Sequence, residues 1–176
     1  RMMPDPATDK DDKDTAAILQ SATRVLTIEA EALAHMAAHL PPDFAPAVEC
    51  MLACSGRVIV AGIGKSGHIG RKVAATLAST GTLAHFVHVA EASHGDLGMM
   101  TRGDAVLVLS NSGETTELAD LVAYTRRFSI PLIAMVGRKD STLMRAADVG
   151  LLLPDLPEAC GVGIVPTTST TMMLGL

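Results

Sequence analysis

Five short apolar runs punctuate the chain: "RVIVAGIG", "AHFVHVA", "DAVLVLS", "PLIAMVG" and "DVGLLLP", starting at Arg57, Ala84, Asp104, Pro131 and Asp148. Each is rich in β-branched residues or bounded by turn residues, the pattern of strands buried on both faces. Between them lie helix-like segments over 69–79, 117–128 and 142–147. Ahead of them, Leu19, Ala22, Leu26, Ala30, Leu33, Ala37 and Leu40 recur at three- and four-residue steps and predict a long helix over 15–40. Pro41-Pro42 ends it, and a second short helix follows over 44–53. Strands alternating with helices predict an α/β fold with a parallel sheet covered on both faces. The opening "RMMPDPATDKDDKD" is polar and charged, so residues 1–14 are expected to be a disordered tail and 15–176 a single domain.

The pattern also repeats. "RVIVAGIGKSGHIGRKVAATLA" and "DAVLVLSNSGETTELADLVAYTRR" both read as strand, small-residue turn, helix. In open α/β sheets such turns, at the carboxyl ends of strands, are where ligands bind. The first turn is not the loop of nucleoside-triphosphate enzymes, because the first glycine of G-x-x-x-x-G-K-[ST] would fall at Ile59, inside the strand. Gly62, Gly64 and Gly67 meet the dinucleotide fingerprint literally. The acidic residue needed for the ribose, however, comes only at Glu91, past the end of the next strand, which argues against a nicotinamide cofactor. The second turn, "SNSGETTE", gathers the hydroxyls of Ser110, Ser112, Thr115 and Thr116 around Gly113 just before a helix. Free N–H groups at a helix start favour an anion. A capping box would account for one of the hydroxyls but not four. "PTTSTT" from Pro166 repeats the theme, and three such turns point to a small polyhydroxylated phosphate ester.

Composition narrows the class. Aromatic residues make up 2% of the 176, so the core must be built from Ala, Val, Leu, Ile and Met. The formal net charge of -5 argues against nucleic acid as a partner. No apolar run reaches the ~20 residues of a membrane helix, and no charged start followed by an apolar middle marks a secretory signal. Three cysteines, Cys50, Cys54 and Cys160, make an odd number, which fits a reduced, cytoplasmic setting. Cys50 and Cys54 share a helix face, but no third ligand stands near them.

"GIGKSGHIGRKVAATLASTGT", "EASHGDLGM", "LSNSGETTE" and "PTTSTT" together resemble the sugar isomerase (SIS) domain of the arabinose 5-phosphate isomerases, from about Arg57 to the last residue. The S-x-S-G-E-T turn is shared by SIS domains generally, whereas "GKSGHIGRK" with "HGDLGM" points to this isomerase branch. The resemblance implies a Rossmann-like three-layer sandwich with a five-stranded parallel sheet. It implies interconversion of D-ribulose 5-phosphate and D-arabinose 5-phosphate, towards Kdo and lipopolysaccharide, in a homo-tetramer without a cofactor. Family members continue into a final helix and often a pair of CBS domains. The final helix is therefore expected to be cut short at Leu176, and a histidine that the family carries downstream has no position here.

Aldose–ketose isomerisation moves a proton between adjacent carbons through an enediol, so it needs a base for the carbons and a polariser for the oxygens. The charged residues near the predicted strand ends are Lys65, His94, Asp96, Glu114, Glu117 and Glu158. Matched position by position, the resemblance singles out Lys65, Glu117 and Glu158 as catalytic. Gly64, Ser66, His94, Ser110, Asn111, Ser112, Thr115, Thr167 and Ser169 are then expected to bind substrate. Lys65 would hold the anionic substrate or its developing oxyanion, and of the two carboxylates Glu158 is favoured as the carbon base, with Glu117 the alternative. No required metal is expected. His85 and His88, three apart on a strand, face opposite sides, His68 is placed in the first loop, and His94 is a candidate for adventitious zinc. The alternative function is a SIS domain that senses a sugar phosphate without turning it over, for which the phosphate turns would look the same.

Overall fold

The apolar runs become strands; the three central ones are buried on both faces, and the two edge strands only in part. In the computed structural model, which describes residues 6–176 and side chains from Asp14 onward, the five are β1 (Val58–Gly62), β2 (Ala84–His88), β3 (Ala105–Ser110), β4 (Leu132–Val136) and β5 (Val149–Leu152). They form one parallel sheet in the order β2-β1-β3-β4-β5. Successive side chains of a strand point to opposite faces, so each strand feeds two cores. Val58, Val60, Leu107, Leu109, Ile133 and Met135 pack on one face. They meet α1 (Pro6–Ala38), α2 (Phe44–Ala53), α3 (Gly64–Ser79) and α7 (Thr168–Gly175). Ile59, Ala61, Val106, Val108, Leu132 and Ala134 pack on the other, against α4 (Val89–Ala92), α5 (Leu118–Phe128) and α6 (Thr142–Ala146). This is the expected three-layer α/β sandwich.

The differences are at element ends. Of the tail expected over 1–14, residues 1–5 lie outside the described residues, while α1 begins at Pro6 and takes in the rest. Proline suits the first helical position because it has no N–H to leave unpaired. Helix α3 starts at Gly64, not near Ile69. Glycine lets it start flush against the sheet: a Cβ on Gly67 would sit 3.1 Å from the Gly62 carbonyl oxygen. Strand β2 stops at His88, and the chain turns at once into α4 and then a 3-10 turn over Asp96–Met99.

The order of strands decides where a ligand can go. From β1 the chain crosses to β2 on one side, then returns past β1 to β3 on the other. The turns after β1 and β3 therefore leave adjacent strand ends, where Gly62 pairs with Leu109, towards opposite sides, and such a switch point is where open α/β sheets bind ligands.

Candidate functional site

Both repeated turns lie at that switch point. After β1, Ile63 is extended and Gly64 takes φ 58°, a left-handed conformation in which a side chain is costly. Lys65 follows, exposed in the first turn of α3, with Ser66 half-buried beside it. His68, expected within a loop, lies instead on the exposed side of α3.

The turn after β3 is held from within. Ser110 is 5% exposed, and its Oγ accepts a hydrogen bond from Gly113 N at 3.1 Å and lies 3.3 Å from Thr115 Oγ1. Its hydroxyl therefore shapes the turn. Ser112 is exposed, and its Oγ accepts from Glu114 N at 3.2 Å. Gly113 takes φ 64°, and a Cβ there would also overlap Ser141 Oγ, so both the backbone and the close approach call for glycine. Glu114 reaches across to α6. Its carboxylate accepts from Thr142 N and from Thr142 Oγ1, both at 2.8 Å. The Thr142 hydroxyl and amide, with the positive charges of Arg145 and Arg138, hold the Glu114 pKa below its ordinary value despite a small opposing effect of desolvation. Glu114 thus caps α6 and braces the turn, and is bound up away from acid–base work. Glu117 stands one residue ahead of α5, exposed, and accepts from Thr116 Oγ1 at 3.0 Å.

The third segment follows β5. Glu158 Oε2 accepts from Thr167 N at 2.7 Å, Thr167 Oγ1 at 3.0 Å and Ser169 N at 3.2 Å. The carboxylate thereby caps the start of α7, where the helix dipole also favours negative charge. Burial pushes the Glu158 pKa up, but the hydrogen bonds from Ser169 and Thr167 outweigh it and leave the group below its ordinary value. Ser169 is 6% exposed, and although it faces the carboxylate its Oγ completes no hydrogen bond of ordinary geometry.

These segments meet in a cavity of about 340 Å³ lined by Asn111, Ser112, Arg138, Asp155, Glu158 and Ser169, among others. The structure thus brings four of the expected residues together: Asn111, Ser112, Glu158 and Ser169. Gly64, Lys65, Ser66, Glu117 and His94 lie outside this lining, and Thr115 lines a separate cavity between α5 and α6. Thr167 contributes as the donor to Glu158. Arg138 and Asp155 were not anticipated. Arg138 could have been found from Gly137-Arg138, which follows β4 as the other glycine turns follow β1 and β3. A larger cavity of about 440 Å³ between α2, α3 and α7 is lined by Phe44, Met51, Leu77 and Leu176. Its polar side chains, Lys72 and Thr76, bond each other, so it offers little to a phosphate ester.

His94 is exposed just after α4, and His85 and His88 differ in exposure as opposite faces require. Among the described residues no group of three or more His, Cys, Asp or Glu is arranged to hold a metal ion, and no helix is long and apolar enough to cross a membrane.

Known proteins resemble this chain in sequence and fold. The chain is 51% identical over 155 residues to the arabinose 5-phosphate isomerase KdsD of Salmonella typhi, covering 88% of this chain and 47% of that protein. It is 50% identical over 158 residues to the KdsD of Pseudomonas aeruginosa, covering 90% and 48%. The chain thus spans about half the length of the curated relatives it matches. The solved structure of E. coli CFT073 c3406 in complex with arabinose 5-phosphate superposes with a TM-score of 0.87 at 35% identity, over 90% of this chain and 85% of that one. The SIS domain model matches residues 51–176, which hold the whole sheet and all three turns, and the chain belongs to the SIS domain family.

Proposed function

We propose that this chain carries the active site of an aldose–ketose isomerase that interconverts D-ribulose 5-phosphate and D-arabinose 5-phosphate through an enediol. The observation that carries this reading is an ionised carboxylate, Glu158, in one cavity with the hydroxyl- and amide-rich turn of Asn111 and Ser112. A sensor needs the turn but has no use for a base beside it. The names of the KdsD relatives and the arabinose 5-phosphate complex support the same substrate class.

In this mechanism Ser112, Asn111 and the turn's amides hold the phosphate, with Ser110 and Thr115 keeping the turn in shape. Glu158 takes the proton from C2 of the open-chain aldose, and the electron pair left behind forms the C1–C2 double bond of the enediol as the C1 carbonyl oxygen gains a proton. Return of the proton from Glu158 to C1 gives the ketose, so no electrons are gained or lost. Lys65 stabilises the oxyanion that develops, and Glu117 moves the proton between O1 and O2. Gly64, Ser66, Thr167 and His94 complete the sugar site. A low pKa keeps Glu158 ionised at neutral pH and also makes it a modest base, so Lys65 must carry part of the barrier reduction.

The enzyme acts in the cytoplasm, early on the route to Kdo and lipopolysaccharide. It works as a homo-tetramer, which would cover the exposed Ile18, Leu19 and Leu26 of α1. The SIS domain is joined to CBS domains in the whole protein. The test uses the full-length protein in deuterium oxide with arabinose 5-phosphate followed by NMR. Formation of ribulose 5-phosphate with deuterium entering at carbon supports the reading. Tight binding without conversion refutes it in favour of a sensor. A monomer by light scattering at micromolar concentration refutes the tetramer.

A further inference from the structure

Helix α1 makes two polar contacts across the molecule that packing alone does not require, and both touch the mounting of Glu158. The guanidinium of Arg24 donates to the backbone carbonyl of Ala159, the residue next to Glu158, at 3.1 Å, across 135 residues of sequence. Five residues on, Glu29 accepts a hydrogen bond from Thr171 Oγ1 at 2.9 Å. Thr171 belongs to α7, whose first turn supplies the donors to the Glu158 carboxylate. The other side of Ala159 is fixed as well, because its N–H donates to Thr168 Oγ1 at 3.0 Å and Thr168 is fully buried. Ala159 is itself fully buried. The peptide groups flanking it are thus pinned from two elements, one by a charged donor from α1 and one by a hydroxyl of α7.

We propose that Arg24 is a positioning residue: with Glu29, it makes helix α1 the outer clamp that sets the Glu158 carboxylate against α7. The proposal rests on the reading of Glu158 as the carbon base. Charge-assisted hydrogen bonds are the stronger kind, and a carbonyl next to a reacting group is where such a bond has leverage. A carboxylate displaced by a fraction of an ångström from the substrate carbon loses rate without losing affinity. Displacement also lengthens the Thr167 and Ser169 hydrogen bonds that hold the Glu158 pKa down, so that pKa rises towards its ordinary value.

The experiment compares Arg24→Gln and Arg24→Lys in the full-length protein, each also in a Glu158→Gln background. Four results together support the clamp. Arg24→Gln lowers kcat about tenfold with KM within about twofold. The Glu158 carboxyl titrates at higher pH, read by carbon-13 NMR and identified by its loss in Glu158→Gln. Arg24→Lys restores most of both, and Arg24→Gln costs no further activity once Glu158 is glutamine. An unchanged kcat with an unchanged titration overturns the proposal. So does a lowered kcat with an unmoved titration, or one whose loss adds in full to that of Glu158→Gln, because Arg24 would then act through general stability. If the unmodified protein shows no isomerase activity, the functional reading fails, and the NMR titration alone still decides whether Arg24 sets the state of Glu158.

Discussion

Replacing Glu158 with glutamine separates two roles that the structure gives to one carboxylate. Glu158 caps α7 through three hydrogen bonds to Oε2, and it faces the cavity that holds Asn111 and Ser112. Glutamine keeps an oxygen for the cap. It gives up the charge–dipole attraction, worth about 0.3–1 kcal/mol, and turns charged hydrogen bonds into neutral ones, each weaker by about 1 kcal/mol. These terms sum to about 3–4 kcal/mol at most, and because the group is well solvated, screening cuts the combined loss to about 1 kcal/mol. That corresponds to about 2–4 °C in melting temperature for a domain of this size. A missing base costs about a hundredfold to ten-thousandfold in rate, or about 3–5 kcal/mol. The catalytic effect therefore exceeds the structural one several-fold, and the two cannot be confused. In full-length protein, Glu158→Gln should bind arabinose 5-phosphate about as tightly as the parent. It should lose nearly all exchange of the carbon-bound proton with deuterium oxide, read by NMR, while melting only a few degrees lower. Full exchange in this variant would refute the base assignment outright. The reasoning also fails if exchange is lost together with a collapse in melting temperature, since the carboxylate would then be mainly a cap.

The low pKa of Glu158 sets two pH expectations. Its hydrogen bonds favour the ionised form, so their stabilisation is present above the ordinary value of 4.5 and is lost as pH falls through the lower folded value; the melting difference between parent and Glu158→Gln should accordingly shrink below pH 4.5, and a constant difference would contradict the depressed pKa. The acid limb of kcat/KM should lie below 4.5, whereas a limb near 6–7 would count against Glu158 as the base. Ser112→Ala should raise KM for the phosphorylated sugar about tenfold or more with kcat little changed, since one hydroxyl bond to a charged ligand is worth about 1.5 kcal/mol or more; an unchanged KM removes Ser112 from the phosphate site. Gly113→Ala should destabilise by more than about 2 kcal/mol, because the left-handed φ costs about 1–2 kcal/mol for alanine and its methyl overlaps Ser141. A chemical denaturation midpoint equal to the parent's would show that the turn is not braced as described.

The sequence by itself determined the layers, the strands and the family. The three central strands are buried on both faces and must be continuously apolar, the two edge runs are apolar enough to be read with them, and "SNSGETTE" and "PTTSTT" marked the candidate ligand turns. The chain's chemistry was legible to the extent that it sits in short local motifs. What tertiary structure alone decided was pairing across distance. Glu114 and Glu158 are both glutamates beside hydroxyl-rich turns, yet one is spent on Thr142 of α6 and the other, held by Thr167 and Ser169, opens on a cavity. Ser110 and Ser112 are two residues apart in one motif, yet one is buried inside its turn and the other exposed. Arg138 entered the site because β4 lies beside β3, and Arg24 because α1 packs beside α7. Local sequence sets the spacing of groups along the chain, but hydrogen bonds form between groups that folding brings within about 3 Å, and strand order and helix packing set those distances.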